Sequence, residues 1–289
     1  MKAEIEVLQP GLFSTIQDLG RFGFLKFGVP QSGVMDRYAM RICNLILGNP
    51  ENASVLEITM QGPQLKFNAT TAICISGANF SPQVNGNKIA QNELVVIHDG
   101  DILKFGTPQA GFRSYLGIKG GFHSEYLMDS YSWYEGLTEH FRLKKGLILG
   151  YSSNEHKNRH VNATLKINTA YLNETSIEVY PGPEFENLKT TQQNQILNSV
   201  FTPDENSNRM AVQLKEELKN DLQPIVTSPV MPGTVQLTPS GKMIILMRDC
   251  QTTGGYPRIL QLSEKGIQVL SQKLPGTEIS FKKKEYPSI

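Results

Sequence analysis

The sequence predicts a mainly β protein of two lobes with a few helices, and three observations carry that prediction. Short apolar runs recur along the chain, punctuated by Gly, Pro and Asn at the rhythm of a sandwich or barrel. A polar stretch, SSNEHKNRHVN at 152–162, has almost nothing to bury and reads as a linker. The halves on either side open alike, IEVLQPG at 5–11 and IEVYPGP at 177–183, which hints at a duplicated β unit. The expected boundaries are 1–165 for an N-terminal lobe and 170–289 for a C-terminal one.

In chain order, strands are read in AEIEVL, VLEITM, LKFNATTAICIS, ELVVIHDGDILKFG and RSYLGIKGG of the first lobe. Those of the second are SIEVYPGP, GTVQL, MIILM and EISF. Each is too short for a useful helix and rich in branched or aromatic residues. MDRYAMRICNLILGN breaks the rhythm and predicts a helix over 35–48. Met35, Tyr38, Ala39, Ile42, Leu45 and Ile46 fall on one face, Asp36 lies in the first turn, and Gly48-Asn49-Pro50 is a stop. FENLKTTQQNQILNSV and EKGIQVLSQK are further helical segments, the second interrupted by Gly266.

A chain of 289 residues suits about two domains. With 28 Lys plus Arg against 27 Asp plus Glu, it offers no field for nucleic acid or an anionic membrane. MKAEIEVLQPG is no signal peptide, and no apolar run approaches membrane-spanning length, so a soluble, cytoplasmic protein is expected. Cys43, Cys74 and Cys250 lie outside any C-x-x-C pattern, which suits reduced thiols. Cys250 has no His or Lys adjoining it and reads as a small buried filler.

No glycine-rich phosphate loop is present, and PSGKM lacks the upstream glycine and the hydroxyl of one. His156 and His160 are spaced i, i+4 in the polar stretch with no third ligand marked, so no metal is expected. The densest stretch is STIQDLGRFGFLKFGVPQSGVMDRYA, 14–39. Ser32 or Asp36 can cap the following helix. The same segment offers a helix N-terminus and the Arg21 guanidinium to an anion or amide, and an irregular segment of this length tends to be functional. The second dense stretch is DCQTTGGYPRI at 249–259, where Gly254, Gly255 and Pro257 force an excursion from the sheet. Gln251, Thr252, Thr253 and Tyr256 give that turn more hydrogen-bonding side chains than a hairpin needs.

These stretches, with VLEITMQGP, YLGIKGG, VYPGP and NRM, resemble the family of the 5-oxoprolinase C-subunit nearly end to end. That family is also described as KipA-like, biotin-dependent carboxyltransferase or allophanate hydrolase subunit 2. The resemblance implies a cyclophilin-like β-barrel architecture, with a KipI-like B-subunit and a third oxoprolinase subunit for partners. It implies ATP-dependent opening of 5-oxoproline to glutamate, with ATP at the level of the complex and biotin only in carboxyltransferase relatives. Gln17 and Gln251 are then suited to read a lactam's donor and acceptor, and Arg21 or Arg113 to hold a carboxylate. The catalytic candidates are Gln17, Asp18, Arg21, Asp249 and Gln251. The substrate-binding candidates are Ser32, Gly33, Asp36, Arg113, Arg209, Thr252, Thr253, Gly254, Gly255 and Tyr256. The two dense loops are expected to meet at one pocket.

The chain departs from the family pattern in three places. DSYSWYEGLTEHFR replaces a glycine-rich stretch and puts Tyr131 where an Arg is usual. TSP at 227–229 puts Ser228 at a Glu position, and SNRMA at 207–211 puts Asn208 at an Asp position. Losing two acid-base groups opens a second reading, a non-catalytic module that regulates its KipI-like partner.

Overall fold

The computed structural model describes residues 3–153 and 165–286, so His156, His160 and most of the polar stretch lie outside the described residues. The chain is mainly β and divides into two compact units. One comprises Met1–Gly20 and Asp36–Asn173, the other Arg21–Met35 and Glu174–Ile289. The long segment after the second strand thus belongs with the C-terminal unit.

The first unit contains two sheets around one core. In the seven-stranded sheet Ala3–Gln9 is central, paired antiparallel with Ile148–Tyr151 and Gln64–Phe67. Its Ile5 and Val7 are fully buried while Glu4 and Glu6 point away, the alternation of a half-solvated strand. The five-stranded sheet runs Phe13–Gln17, Val55–Thr59, Ala110–Ile118, Thr71–Asn79, Val95–Ile97. Eight of the nine residues of Thr71–Asn79 are buried, because the core lies on one face and helix α1 (Arg37–Leu47) packs on the other.

Asp36 caps α1 by accepting from Ala39 N, and Gly48 ends it at φ 60°. The buried stripe differs from the one the spacing predicts: it is Ala39, Met40, Ile42, Cys43, Asn44 and Leu47, and Leu45 is 62% exposed. Close approach to the sheet sets this rotation. A Cβ at Gly117 would fall 2.8 Å from Cys43 Cβ and 3.0 Å from Leu47, so the helix sits where the strand carries no side chain.

The second unit is a seven-stranded sheet in the order Val200–Phe201, Ile279–Lys283, Ser176–Pro181, Arg258–Leu262, Thr234–Leu237, Lys242–Leu246, Ala211–Glu217. Its two edges meet through the Pro203↔Leu214 bridge and the bond from Lys215 N to Thr202 O, 2.9 Å, which nearly closes it into a barrel. Helices α2 (Thr190–Asn198) and α3 (Glu264–Ser271) cover it. Gly266 lets α3 lie on the strand below it, since a Cβ there would sit 2.5 Å from Glu178 O. The two IEV strands are not equivalent: Ala3–Gln9 has antiparallel neighbours on both sides, whereas Ser176–Pro181 pairs parallel with Ile279–Lys283. No helix among the described residues is long and apolar enough to cross a membrane.

Candidate functional site

Sheet strands of the second unit carry a polar assembly at their ends. After Lys242–Leu246 the chain continues beside residues 209–210, with bonds from Met247 N to Met210 O and from Asp249 N to Arg209 O. This pairing brings Arg209 onto Asp249: Nε donates to Oδ2 at 2.8 Å and Nη2 to Oδ1 at 3.0 Å, a two-pronged clamp. Arg209 Nη2 also donates to Gly33 O at 2.7 Å, and Ser32 Oγ donates to Asp249 Oδ1 at 2.7 Å. Arg248 Nε reaches Val34 O and its Nη2 pairs with Glu264 at the start of α3. Ser32, Gly33, Arg209 and Asp249, four predicted site residues, therefore form one hydrogen-bonded group. Ser32 is held at φ 56°, a left-handed conformation that costs a serine free energy.

Beyond Asp249 the chain leaves the sheet as a two-stranded ribbon, with Ser228↔Gly254 and Pro229↔Thr253 paired. Val230 N bonds Thr252 O, and Ile225 N bonds Gly255 O. Gln251 is exposed and Tyr256 is 40% exposed, so the turn's side chains face outward. Cys250 is buried with Val230 and Leu246, and burial, then the Asp249 charge, raises its thiol to about 12. It is a packed thiol with no thiolate character at neutral pH.

Arg258 anchors the ribbon's base, donating through Nη2 and Nε to both oxygens of Glu184 and through Nη1 to Pro229 O. The Arg258 hydrogen bonds hold the Glu184 carboxyl below its ordinary range. Neither residue was singled out by the sequence: Arg258 falls inside DCQTTGGYPRI, and Glu184 lies one residue past SIEVYPGP. Gln236 was also missed, because a lone Gln in GTVQL carries no signal until its neighbours are seen.

The remaining candidates lie elsewhere. Gln17 is fully buried in the first unit and donates to Thr15 Oγ1 and Trp133 O. Asp18 beside it accepts from Gly20 N, Ser130 Oγ, Ser132 Oγ and Tyr131 N at 2.6–2.8 Å. Asp36, besides capping α1, accepts from the Tyr171 hydroxyl at 2.7 Å, and its own backbone N–H donates to Tyr115 Oη. Tyr115 donates to Glu57, whose other oxygen lies 3.8 Å from Arg113 Nε. Burial, then Glu57 and Asp36, raises the Tyr115 hydroxyl well above its usual value, so it stays a donor. Arg21, in the second unit, is fully buried, and its N–H bonds Gln31 O. Gln17, Asp18, Asp36 and Arg113 thus belong to the first unit, and Arg21, Ser32, Gly33, Arg209 and residues 249–256 to the second. No group of three or more His, Cys, Asp or Glu placed to hold a metal occurs among the described residues.

The chain belongs to the family "Carboxyltransferase domain, subdomain A and B", whose model matches residues 27–283. Within that class it is similar to the C-subunit of 5-oxoprolinase. The protein of that name from Haemophilus influenzae is 31% identical over 289 residues, 96% of this chain and 90% of that protein. The one from Escherichia coli is 30% identical over 283 residues, with the same coverage of 96% and 90%. Two solved structures superpose with a TM-score of 0.84: TTHA0988, 25% identical, and the Kluyveromyces lactis urea carboxylase, 30% identical. They are larger, since this chain covers 55% of the first and 27% of the second.

Proposed function

We propose that this chain is one subunit of an ATP-dependent 5-oxoprolinase-type complex that adds water across the lactam C–N bond of 5-oxoproline and releases glutamate. The observation that carries this reading is 31% identity along 96% of the chain to a C-subunit of 5-oxoprolinase. Urea amidolyase from Lachancea kluyveri matches only 42% of the chain. In this reading the cytoplasmic complex is completed by a KipI-like B-subunit and a third polypeptide. Phe22, Leu25 and Phe27 of the second unit, each more than 40% exposed, are the kind of apolar patch that a partner covers.

The residues suit a small amide. Gln251 presents a carboxamide to solvent, and hydroxyls of Thr252, Thr253 and Tyr256 accompany it. Biotin's ureido group has the same N–C=O pattern, so a carboxamide site fits it too, and a carboxylated biotin would bring a transferable carboxyl group. ATP is assigned to the complex as a whole.

A second reading, a non-catalytic module that regulates the KipI-like partner, draws support from Ser228 and Asn208 standing at usual carboxylate positions. Asn208 is occupied in a turn, accepting from Met210 N and Ala211 N. Reconstitution with the neighbouring subunits separates the two readings. ATP-dependent glutamate release is expected, and a stable complex without turnover removes the enzyme reading.

A further inference from the structure

We propose that Gln236 is a ligand-reading residue, forming with Gln251 a two-carboxamide site for the N–C=O group of a small lactam, amide or urea. The proposal rests on the amide-directed reading above and gives it a residue that no motif marked. Gln236 lies on the barrel strand Thr234–Leu237, whose four residues are all buried, and is itself 2% exposed. Its Oε1 accepts from Gln251 Nε2 at 3.4 Å. Its own Nε2 is buried and has no acceptor among the described residues.

Such a donor is an anomaly in a barrel wall. A buried amide nitrogen without an acceptor costs free energy that a Met of similar length would not, and native chains carry few of them. The neighbours offer no remedy: Val235 and Leu237 flank it in sequence with no exposed surface. Val230 lies beside Gly254, at 3.4 Å from a Cβ placed there. Gly254 itself covers the nitrogen, and a Cβ there would fall 2.3 Å from Gln236 Nε2, so only glycine lets the ribbon close over it.

The cover is a ribbon that pairs Ser228↔Gly254 and Pro229↔Thr253, with bonds from Val230 N to Thr252 O and from Ile225 N to Gly255 O beside them, and the Gln251 bond to Gln236 is long for an N–H···O contact. A small displacement of the ribbon frees the Gln236 N–H to donate to a ligand carbonyl. Gln251, released from Gln236, accepts the ligand N–H with its own Oε1. The pair then satisfies both sides of one amide, and the ligand supplies the acceptor that the barrel wall lacks.

The test compares the full wild-type chain, Gln236→Met and Gln251→Ala by thermal unfolding, alone and with 5-oxoproline or urea. Gln236→Met is expected to unfold at or above the wild-type temperature, and both variants to lose about tenfold or more in apparent affinity for the probe that stabilises wild type. A lower unfolding temperature for Gln236→Met without probe overturns the proposal, since it means that the amide is satisfied in the fold. Retained response of Gln236→Met to 5-oxoproline overturns it while leaving the 5-oxoproline reading in place. If urea alone stabilises wild type and Gln236→Met loses that response, the carboxamide site stands and the 5-oxoproline reading falls. Indifference of wild type to both probes overturns the site.

Discussion

The hydroxyl of Ser32 donates to Oδ1 of Asp249 at 2.7 Å, joining residues 217 positions apart in the chain. Asp249 is also gripped by Arg209, so a strained loop residue, a strand end and a guanidinium share one carboxylate. Ser32→Ala removes a bond to a largely buried charge and retains the left-handed strain. We expect a loss of about 1–3 kcal/mol in unfolding free energy. Ser32→Gly loses the same bond but relieves the backbone, so it should be less destabilising than Ser32→Ala. Urea denaturation of the two variants checks the order, and equal losses would remove backbone strain from the account.

Asp18 is the hub of a separate network, with two serine hydroxyls and two backbone N–H groups on one carboxylate. Asp18→Asn aims an amide N–H at groups that are themselves donors. A fall of about 2–4 kcal/mol is expected, since several charge-assisted bonds are disturbed together. Turnover per folded molecule in the reconstituted complex should survive. An unchanged denaturation midpoint with lost turnover would place Asp18 in the chemistry instead.

Much of this was legible in the sequence, for identifiable reasons. Strands such as AEIEVL and TAICIS declare themselves because burial on one face or two leaves a period that composition preserves. The helix ends were legible too, Asp36 and Gly48 being residues that caps require. What stayed hidden depends on contacts between distant segments. The stripe of α1 is rotated because Gly117, seventy-odd residues away, admits Cys43, and no local pattern encodes that. Ser32 reads equally well as a helix cap or a loop ligand until Asp249 is placed beside it. Gln236 is one polar letter in a buried strand, and its missing acceptor is visible only in three dimensions.

Burial pushes the Lys273 ammonium down to about 8 from 10.5, with Glu174 opposing the shift, and the side chain lies just past α3 with 6% exposure. The folded chain therefore releases this proton at lower pH than the unfolded chain. Between about pH 8 and 10.5 the unfolded state binds more protons, so this group's contribution makes stability rise with pH across that window. Below the folded value both states are charged and the full desolvation cost is present. Lys273→Met should stabilise the chain at neutral pH and flatten the rise above pH 8, read from urea midpoints across that range. An identical pH profile in the variant would show that Lys273 is solvated in the folded state.

Gln251 and Arg21 are both amide- or anion-reading candidates, yet the structure separates what their truncation does. Gln251 is exposed, and its side chain makes one long bond, to Gln236. Gln251→Ala should leave the unfolding temperature within about 1 °C of wild type, as surface substitutions do, while lowering glutamate release by the complex at least about tenfold. Arg21 is the opposite case. Its side chain is among the largest fully buried ones, so Arg21→Ala leaves a large cavity in a packed interior. A loss of about 3 kcal/mol or more follows from that cavity. Arg21→Lys, which keeps charge and much of the volume, should recover part of that stability but not the planar fork. Thermal unfolding and turnover measured on the same three preparations decide the matter. If Arg21→Ala unfolds like wild type, its guanidinium is not packed as described; if Gln251→Ala retains full turnover, the ribbon's amide plays no part in the reaction.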